Sequence, residues 1–390
     1  MRENAFLIVG GGIAGLSASL ALARAGLGSK VFEQAPAFED AGAGLQMSPN
    51  GVRALQGIGA WEAVEPHCVT PTEIHVRGGG RGRLLQRIRL GKSFESRFGA
   101  PYRVCYRSGL MAGLLAAANT CPGIELTTSA RALTATGEDA GASLLMQDGT
   151  RHAGVAVIAA DGIGSRLRDA VCGPVEPVYR GHAIYRALLP FDQVPKSIAA
   201  DCVTLWLCPG GHVVHYPVSG WRHFNIVAAI DSKPVPGDWN RSSDGGLLRH
   251  AFADACDMLH GLIATPKSWL AWQATDLPDL ARWSKGNLLL VGDAAHASLP
   301  YLAQGAVMAI EDACRLAAHV SEGTGSLADR FTAFAAERRP RTARIQAGSR
   351  TLGRLYHARG PLALARDAAL SLLGSDATIR RNAWIYGWKP

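Results

Sequence analysis

Residues 5 to 33 read AFLIVGGGIAGLSASLALARAGLGSKVFE. Ala5 to Val9 is a short all-apolar strand, Gly10-Gly11-Gly12-Ile13-Ala14-Gly15 follows at once, and Ile13 to Ala25 carries apolar residues at helical spacing. Gly26 and Gly28 stop that helix, and Ser29 to Glu33 is the next strand. In such a strand, G-x-G-x-x-G, helix, strand and acid unit, Gly10 makes the tight turn and Gly12 lets a pyrophosphate reach the helix N-terminus. Gly15 lets the helix lie close to the strand. Glu33 stands about 20 residues on, where a ribose hydroxyl needs an acceptor, and this favours an unphosphorylated ribose as in FAD or NAD.

Two later stretches repeat the theme. Val155 to Ala159 is a buried-type strand ending in A-D-G-I-G-S-R-L-R at Ala160 to Arg168, an acid and glycines ahead of a helix. Residues 287 to 313, NLLLVGDAAHASLPYLAQGAVMAIEDA, run from an apolar strand through Asp293 and a proline-broken loop into a helix opened by Gln304-Gly305-Ala306. An aspartate delivered to a strand's C-terminal end, with bare backbone N–H groups a few residues on, suits a ligand, although a purely structural turn capped by Asp reads similarly.

Composition bounds the rest. A chain of 390 residues that is 48% hydrophobic is expected to be a two-domain enzyme, and its 45 glycines suit tight turns and close approaches to a ligand. The net charge of +8 favours anionic small molecules. The densest arginine cluster, Arg338, Arg339, Arg341 and Arg344, reads as a solvated or phosphate-facing helix face; no aromatic-basic interleaving accompanies it, so nucleic acid is not an expected partner. The eight cysteines stand singly, without C-x-x-C, which predicts reduced thiols and a cytoplasmic setting. Glu3 and the glycines at 10 to 12 break any signal-peptide pattern, and no stretch is long enough for a membrane span.

Between these landmarks, Ala41 to Gln46 is a glycine-rich loop, and Ser48-Pro49 is an N-cap and first helical position. Glu73 to Arg77 and Leu84 to Ile88 read as a hairpin. From Pro174 to about Thr275 the chain turns to prolines, tryptophans and alternating strands, and from about Leu327 it is helical, with Pro340 expected to kink an arginine-rich helix. The expected fold class is therefore α/β: a Rossmann-like FAD-binding domain of the glutathione reductase type (1–173 and 276–326), an inserted, mostly antiparallel substrate domain (174–275) to which part of 70–105 contributes, and C-terminal helices (327–390).

Taken jointly, the motifs at 10–15, 160–168 and 291–306 resemble those of the group A flavoprotein aromatic hydroxylases, single-component FAD monooxygenases of the para-hydroxybenzoate hydroxylase type. The resemblance covers nearly the whole chain. The phrase A-Q-G-A-V-M-A-I-E-D-A leans towards the salicylate, 3-hydroxybenzoate and hydroxynicotinate branch. It implies that Gly10, Gly12, Ile13, Ala14 and Gly15 hold the FAD pyrophosphate, that Glu33 and Gln34 meet the adenosine ribose, and that Gln46 and Arg107 contact the flavin chain. Asp161 would touch both FAD and NAD(P)H, Asp293 the ribityl hydroxyls, and Pro300, Gly305 and Ala306 the isoalloxazine ring. Two departures stand out: Tyr106-Arg107-Ser108-Gly109 replaces the family's usual surroundings of the arginine, and Ala297 stands where proline is frequent, which is expected to loosen that loop.

The implied activity is NADH- or NADPH-dependent hydroxylation, by a flavin C4a-hydroperoxide, of a small hydroxylated aromatic or pyridine carboxylic acid, with or without decarboxylation. Such chemistry asks the protein for a base near the substrate hydroxyl, since a phenolate is the better nucleophile. His212, Tyr216 and Tyr301 are the catalytic and substrate-binding candidates, with Arg186, which shares strand parity with His182, for a carboxylate. The alternative for His212 is an ordinary strand residue, and for Arg186 a surface or dimer contact. His212 and His215 point to opposite strand faces, so no metal is expected there. A larger phenolic substrate, or a non-catalytic FAD-binding redox protein, remains an alternative. A homodimer is the family's expectation.

Overall fold

The computed structural model describes residues 4–38, 42–138, 141–234 and 241–390; Glu3 and Ala41 lie outside them. The opening strand, Phe6–Val9, lies inside a six-stranded sheet. Its neighbours are Ser29–Phe32 and then Ile124–Thr127 on one side, and Ala156–Ala159, Leu288–Leu290 and Ser284–Lys285 on the other. All pairings are parallel except that of the short edge strand Ser284–Lys285. The three ligand-type turns read from the sequence follow Phe6–Val9, Ala156–Ala159 and Leu288–Leu290, which are adjacent in the sheet, so parallel pairing brings all three to one edge.

The crossover helix Ile13–Arg24 is apolar nearly all round because it is covered on two sides. Ala18 and Leu22 join the core against the sheet. Ile13, Leu16 and Leu20 join a second core with Val52 and Leu55 of Pro49–Gly57, Leu110 and Leu114 of Arg107–Asn119, and Val307 and Ile310 of Gly305–Glu322. The close approach has a visible requirement at Gly15, where an added Cβ would fall 1.9 Å from the carbonyl oxygen of Gly10.

The second layer is an eight-stranded sheet in the order Arg241–Ser243, Trp269–Asp276, Val178–Pro190, His223–Asp231, Gly211–Val218, Val203–Cys208, Glu73–Gly78 and Leu84–Arg89. Only Val203–Cys208 and Glu73–Gly78 pair in parallel. The alternation in these strands is two-sided: His212, Val214 and Tyr216 line a cavity, whereas Val213 and the Trp206–His215 pair (2.9 Å) lie on the opposite face.

The 30-residue helix Leu327–Tyr356 continues through Pro340 and begins with a capping box at Ser326 and Asp329. Its arginines correct the solvated-face reading. Arg338 is 1% exposed, donating to Asp312 (2.8 Å) and Glu311 (3.0 Å), Arg341 pairs with Glu311 (2.7 Å), and Arg344 stacks 3.8 Å over Trp384. Buried carboxylates on the facing helix, not solvent or phosphate, neutralise Arg338 and Arg341, whereas Arg344 is exposed and Arg339 pairs with the exposed Asp279 (3.5 Å). Among the described residues no helix is long and apolar enough to cross a membrane.

Candidate functional site

One cavity of about 1240 Å³ runs from the glycine turn of the parallel sheet to the inner face of the eight-stranded sheet. At its first end Gly10 has φ +102°, and a Cβ there would meet Ala160 O at 2.3 Å, so the turn needs glycine for both reasons. Gly12, Ile13 and Ala14 line the wall, and a Cβ on Gly12 would meet nothing within 4 Å because it would enter the cavity. Gly15 does not line it; that residue serves helix–strand packing. Glu33 and Gln34 line the same end. The Glu33 carboxylate accepts from Gly11 N (2.7 Å) and Ala35 N (2.8 Å), which fixes its position and leaves further lone pairs for a ligand hydroxyl.

The second turn is tied by its own motif. Asp161 Oδ2 accepts from Arg166 N (3.0 Å), and the buried Arg168 donates to Ile163 O (2.8 Å) and to Ala294 O of the third turn (3.2 Å). The other Asp161 oxygen is buried without a protein partner, and burial raises the carboxyl's pKa despite the hydrogen bonds from Ser165 and the backbone. Asp161 lines the cavity, so this orphaned acceptor is available to a bound ligand.

In the third turn, Asp312 organises what surrounds Asp293. It accepts from His296 Nε2 (2.6 Å), Gly292 N (3.0 Å) and Arg338, and holds the strand-to-helix corner while Asp293 stays exposed towards the cavity. Burial pushes the Asp312 carboxyl up, but His296 and Arg338 outweigh it and hold the group at about 2. Ala297, where proline is frequent, is held from two sides. It is buried, and its carbonyl accepts from Leu277 N (3.1 Å) and Gln346 Nε2 (2.9 Å). Pro300, Gly305 and Ala306 complete this wall, with the first turn of Gly305–Glu322 directed at the cavity. Ser48 occupies the N-cap position of its helix but makes no capping bond; its hydroxyl joins a buried network with Asn50 (2.7 Å) and Gln304 (3.0 Å) instead. Gln46 and Arg107 line the junction with the second sheet, and Gln46 accepts from Tyr102 (2.6 Å).

Two helix N-termini, an unpartnered buried carboxylate oxygen and a glycine opening onto empty space make an elongated anion- and hydroxyl-binding trough, which fits a dinucleotide. Comparison with known proteins agrees. The FAD binding domain family matches residues 3–349. A 3-hydroxybenzoate 6-hydroxylase of Polaromonas naphthalenivorans is 35% identical over 383 residues, 98% of this chain and 95% of the relative. A 3-amino-4-hydroxybenzoate 2-monooxygenase of Streptomyces platensis, PtnB3, is 34% identical over 98% of this chain and 95% of its own length.

The chain belongs to the group A flavoprotein aromatic hydroxylases.

The hydroxylase also shares its fold with Klebsiella pneumoniae HpxO solved with FAD and uric acid, at a TM-score of 0.87 and 22% identity, over 98% of this chain and 96% of that one. FAD is the cofactor of this family, and the residues of the trough fit it; bound there, it would accept a hydride from a nicotinamide cofactor and activate oxygen. At the far end of the cavity the hydroxylase presents His212, Tyr216 and Tyr301 against apolar walls that include Ile184, Val227 and Leu352. His212 is 3% exposed, and burial together with His357 and His182 holds its pKa well below the ordinary histidine value. Burial raises the Tyr216 and Tyr301 phenols, so both stay protonated at neutral pH and act only through hydrogen bonds.

Arg186 is corrected. It stacks over Trp272, 5.0 Å from the ring centroid, and does not line the cavity. Arg131 and Arg166 do line the hydroxylase's trough, and Arg366 and Arg381 its far end. The sequence reading also missed His357, the residue that caps Leu327–Tyr356. His357 Nε2 lies 2.9 Å from His212 Nδ1, and its Nδ1 lies 2.6 Å from Asp231. His182 Nδ1 lies 2.6 Å from the Tyr301 hydroxyl. The ligating atoms of His182, Asp231 and His357 fall within 4.8 Å of one another, a grouping drawn from two strands and a helix end that no local spacing reveals.

Proposed function

We propose that this enzyme hydroxylates a small phenolic or pyridinol carboxylic acid of the 3-hydroxybenzoate class, using NADH or NADPH and molecular oxygen. The observation that carries the reading is the placement of His212. Its Nδ1 is engaged by His357, which leaves Nε2 as the remaining nitrogen of a buried, neutral imidazole on the wall of a cavity shared with the flavin trough. A neutral imidazole nitrogen accepts the proton of a substrate hydroxyl, and the phenolate so formed is the activated nucleophile. Tyr216 and Tyr301 donate or accept hydrogen bonds to fix the ring, and the apolar walls exclude water.

The substrate class rests on the relatives, named for hydroxybenzoates, aminohydroxybenzoate and 6-hydroxynicotinate. A larger phenolic substrate is favoured by one feature: the cavity continues along the C-terminal helices past Leu362, Ala365, Leu370 and Leu373. The test is to measure NADH and NADPH oxidation and oxygen uptake by the FAD-loaded protein with 3-hydroxybenzoate, 3-amino-4-hydroxybenzoate, 6-hydroxynicotinate and their alkyl-extended analogues. Product masses then separate hydroxylation from hydroxylation with loss of carbon dioxide. If no acid stimulates oxidation, the reading fails. A homodimer and a cytoplasmic setting belong to the same proposal, supported by family expectation and by the eight free thiols, and sedimentation and fractionation test them.

A further inference from the structure

The base faces a difficulty of its own. His212 is too deeply buried to release a proton to water, and its lowered pKa makes it a weak resting place for one. The structure supplies an outlet. From the cavity wall, His212 Nδ1 lies 2.9 Å from His357 Nε2, and His357 Nδ1 lies 2.6 Å from Asp231 Oδ1. The Asp231 side chain is 43% exposed, and its other oxygen accepts from Arg359 (3.0 Å). Burial favours the protonated carboxyl, but His357 and Arg359 outweigh it and keep Asp231 ionised.

We propose that His212, His357 and Asp231 form a proton wire that carries the substrate's hydroxyl proton from the cavity wall to solvent; this rests on the reading of His212 as the base. The carboxylate sets the direction. It requires the His357 proton on Nδ1, which leaves His357 Nε2 as an acceptor, which in turn requires the His212 proton on Nδ1 and frees His212 Nε2 towards the substrate. The substrate O–H bond breaks as its proton joins His212 Nε2. The Nδ1 proton of His212 moves to His357 Nε2, the Nδ1 proton of His357 moves to Asp231, and Asp231 yields one to water. No histidine is left cationic. Return of a proton along the same path to the product phenolate restores every tautomer.

His182 stands beside the wire: its Nδ1 lies 2.6 Å from the Tyr301 hydroxyl, and its Nε2 lies 3.8 Å from Asp231 Oδ1, beyond hydrogen-bond reach, so of the two imidazoles only His357 is hydrogen-bonded to the carboxylate. The titratable groups facing the wire from the surrounding elements are His182, Tyr179, Tyr301, Tyr356, Arg359 and Arg366. The positions of His357 and Asp231 behind the base make them positioning and relay groups, not substrate contacts.

The experiment uses the FAD-loaded full chain with 3-hydroxybenzoate as substrate and 3-hydroxy-4-nitrobenzoate as a probe whose bound phenolate absorbs visible light. Wild type, His212→Gln, His357→Gln, His357→Gly and Asp231→Asn are compared for affinity, turnover and the stopped-flow rate of phenolate appearance between pH 6 and 9. The expected result is near-native flavin content and probe affinity in Asp231→Asn and His357→Gln, with phenolate appearance and turnover slowed by about tenfold or more. Added imidazole should restore part of the rate in His357→Gly, which a purely structural role would not allow. If Asp231→Asn and His357→Gln ionise the probe at the native rate while His212→Gln does not, the wire is overturned and the base stands. If His212→Gln also ionises it at the native rate, the base reading itself fails. Should the His357 variants not fold, the exposed Asp231→Asn decides alone.

Discussion

Tyr301 packs its ring into the space left by the missing side chain of Gly353: a Cβ on Gly353 would fall 2.6 Å from Tyr301 Cε2 and 3.3 Å from the His182 ring. The cavity-lining loop at 298–303 and the long helix Leu327–Tyr356 thereby meet at a glycine. An exposed helical glycine changed to alanine gains about 1 kcal/mol in helix propensity. Overpacking here costs about 1–3 kcal/mol and outweighs that gain. Gly353→Ala is therefore expected to unfold at lower temperature than wild type and to turn over more slowly, because Tyr301 and His182 must shift. A higher melting temperature with native turnover would show that the contact yields freely.

Gly10 and Gly12 stand two residues apart and should fail differently. Gly10→Ala forces a positive φ and a 2.3 Å contact with Ala160 O, so the apoprotein should lose about 1–3 kcal/mol in chemical denaturation. Gly12→Ala meets no protein atom within 4 Å. Its apoprotein should be as stable as wild type while FAD binds about tenfold or more weakly by fluorescence titration, since the methyl enters the trough that must admit a pyrophosphate. Equal FAD affinity in Gly12→Ala would move the pyrophosphate elsewhere.

The buried Arg338 is the hinge of the charge network between the two long helices. Arg338→Met leaves the Glu311 and Asp312 carboxylates short of a counter-charge and is expected to cost about 3–5 kcal/mol. Urea unfolding measures it. A loss below about 1 kcal/mol would mean that Arg341 and His296 suffice.

Acid should act through Asp312. Its folded pKa of about 2 lies below the unfolded value of about 3.9, so the group's contribution is complete above about 3.9 and is lost as pH falls towards 2. That contribution is about 2–3 kcal/mol. Unfolding midpoints between pH 5 and pH 2 should fall more steeply in wild type than in Asp312→Asn; parallel slopes would assign acid sensitivity to other carboxylates.

Arg186→Gln should change the KM for 3-hydroxybenzoate by less than about twofold, because Arg186 stacks on Trp272 outside the cavity lining. A tenfold rise would return the substrate carboxylate to Arg186.

The sequence by itself determined the Rossmann-like unit, the three ligand-type turns and the family, while the strand order that brings those turns to one sheet edge came from the tertiary structure. Each of the three turns depends on residues close together in the chain: Gly10 to Gly15 with Glu33, Asp161 with Arg168, and Asp293 with Gly305. Strand parity likewise placed His212 and Tyr216 on one face. Only the tertiary structure decided what lies behind that face. Asp231 is the last residue of one strand, His182 lies within another, and His357 caps a helix more than a hundred residues further on; nothing in their local spacing links them. The same applies to Arg338, whose solvated or buried state depends on whether acids on another helix, Glu311 and Asp312, arrive to pair with it. Local pattern fixes which way a side chain faces, because backbone geometry is periodic; its charge partners are fixed by packing, which is not.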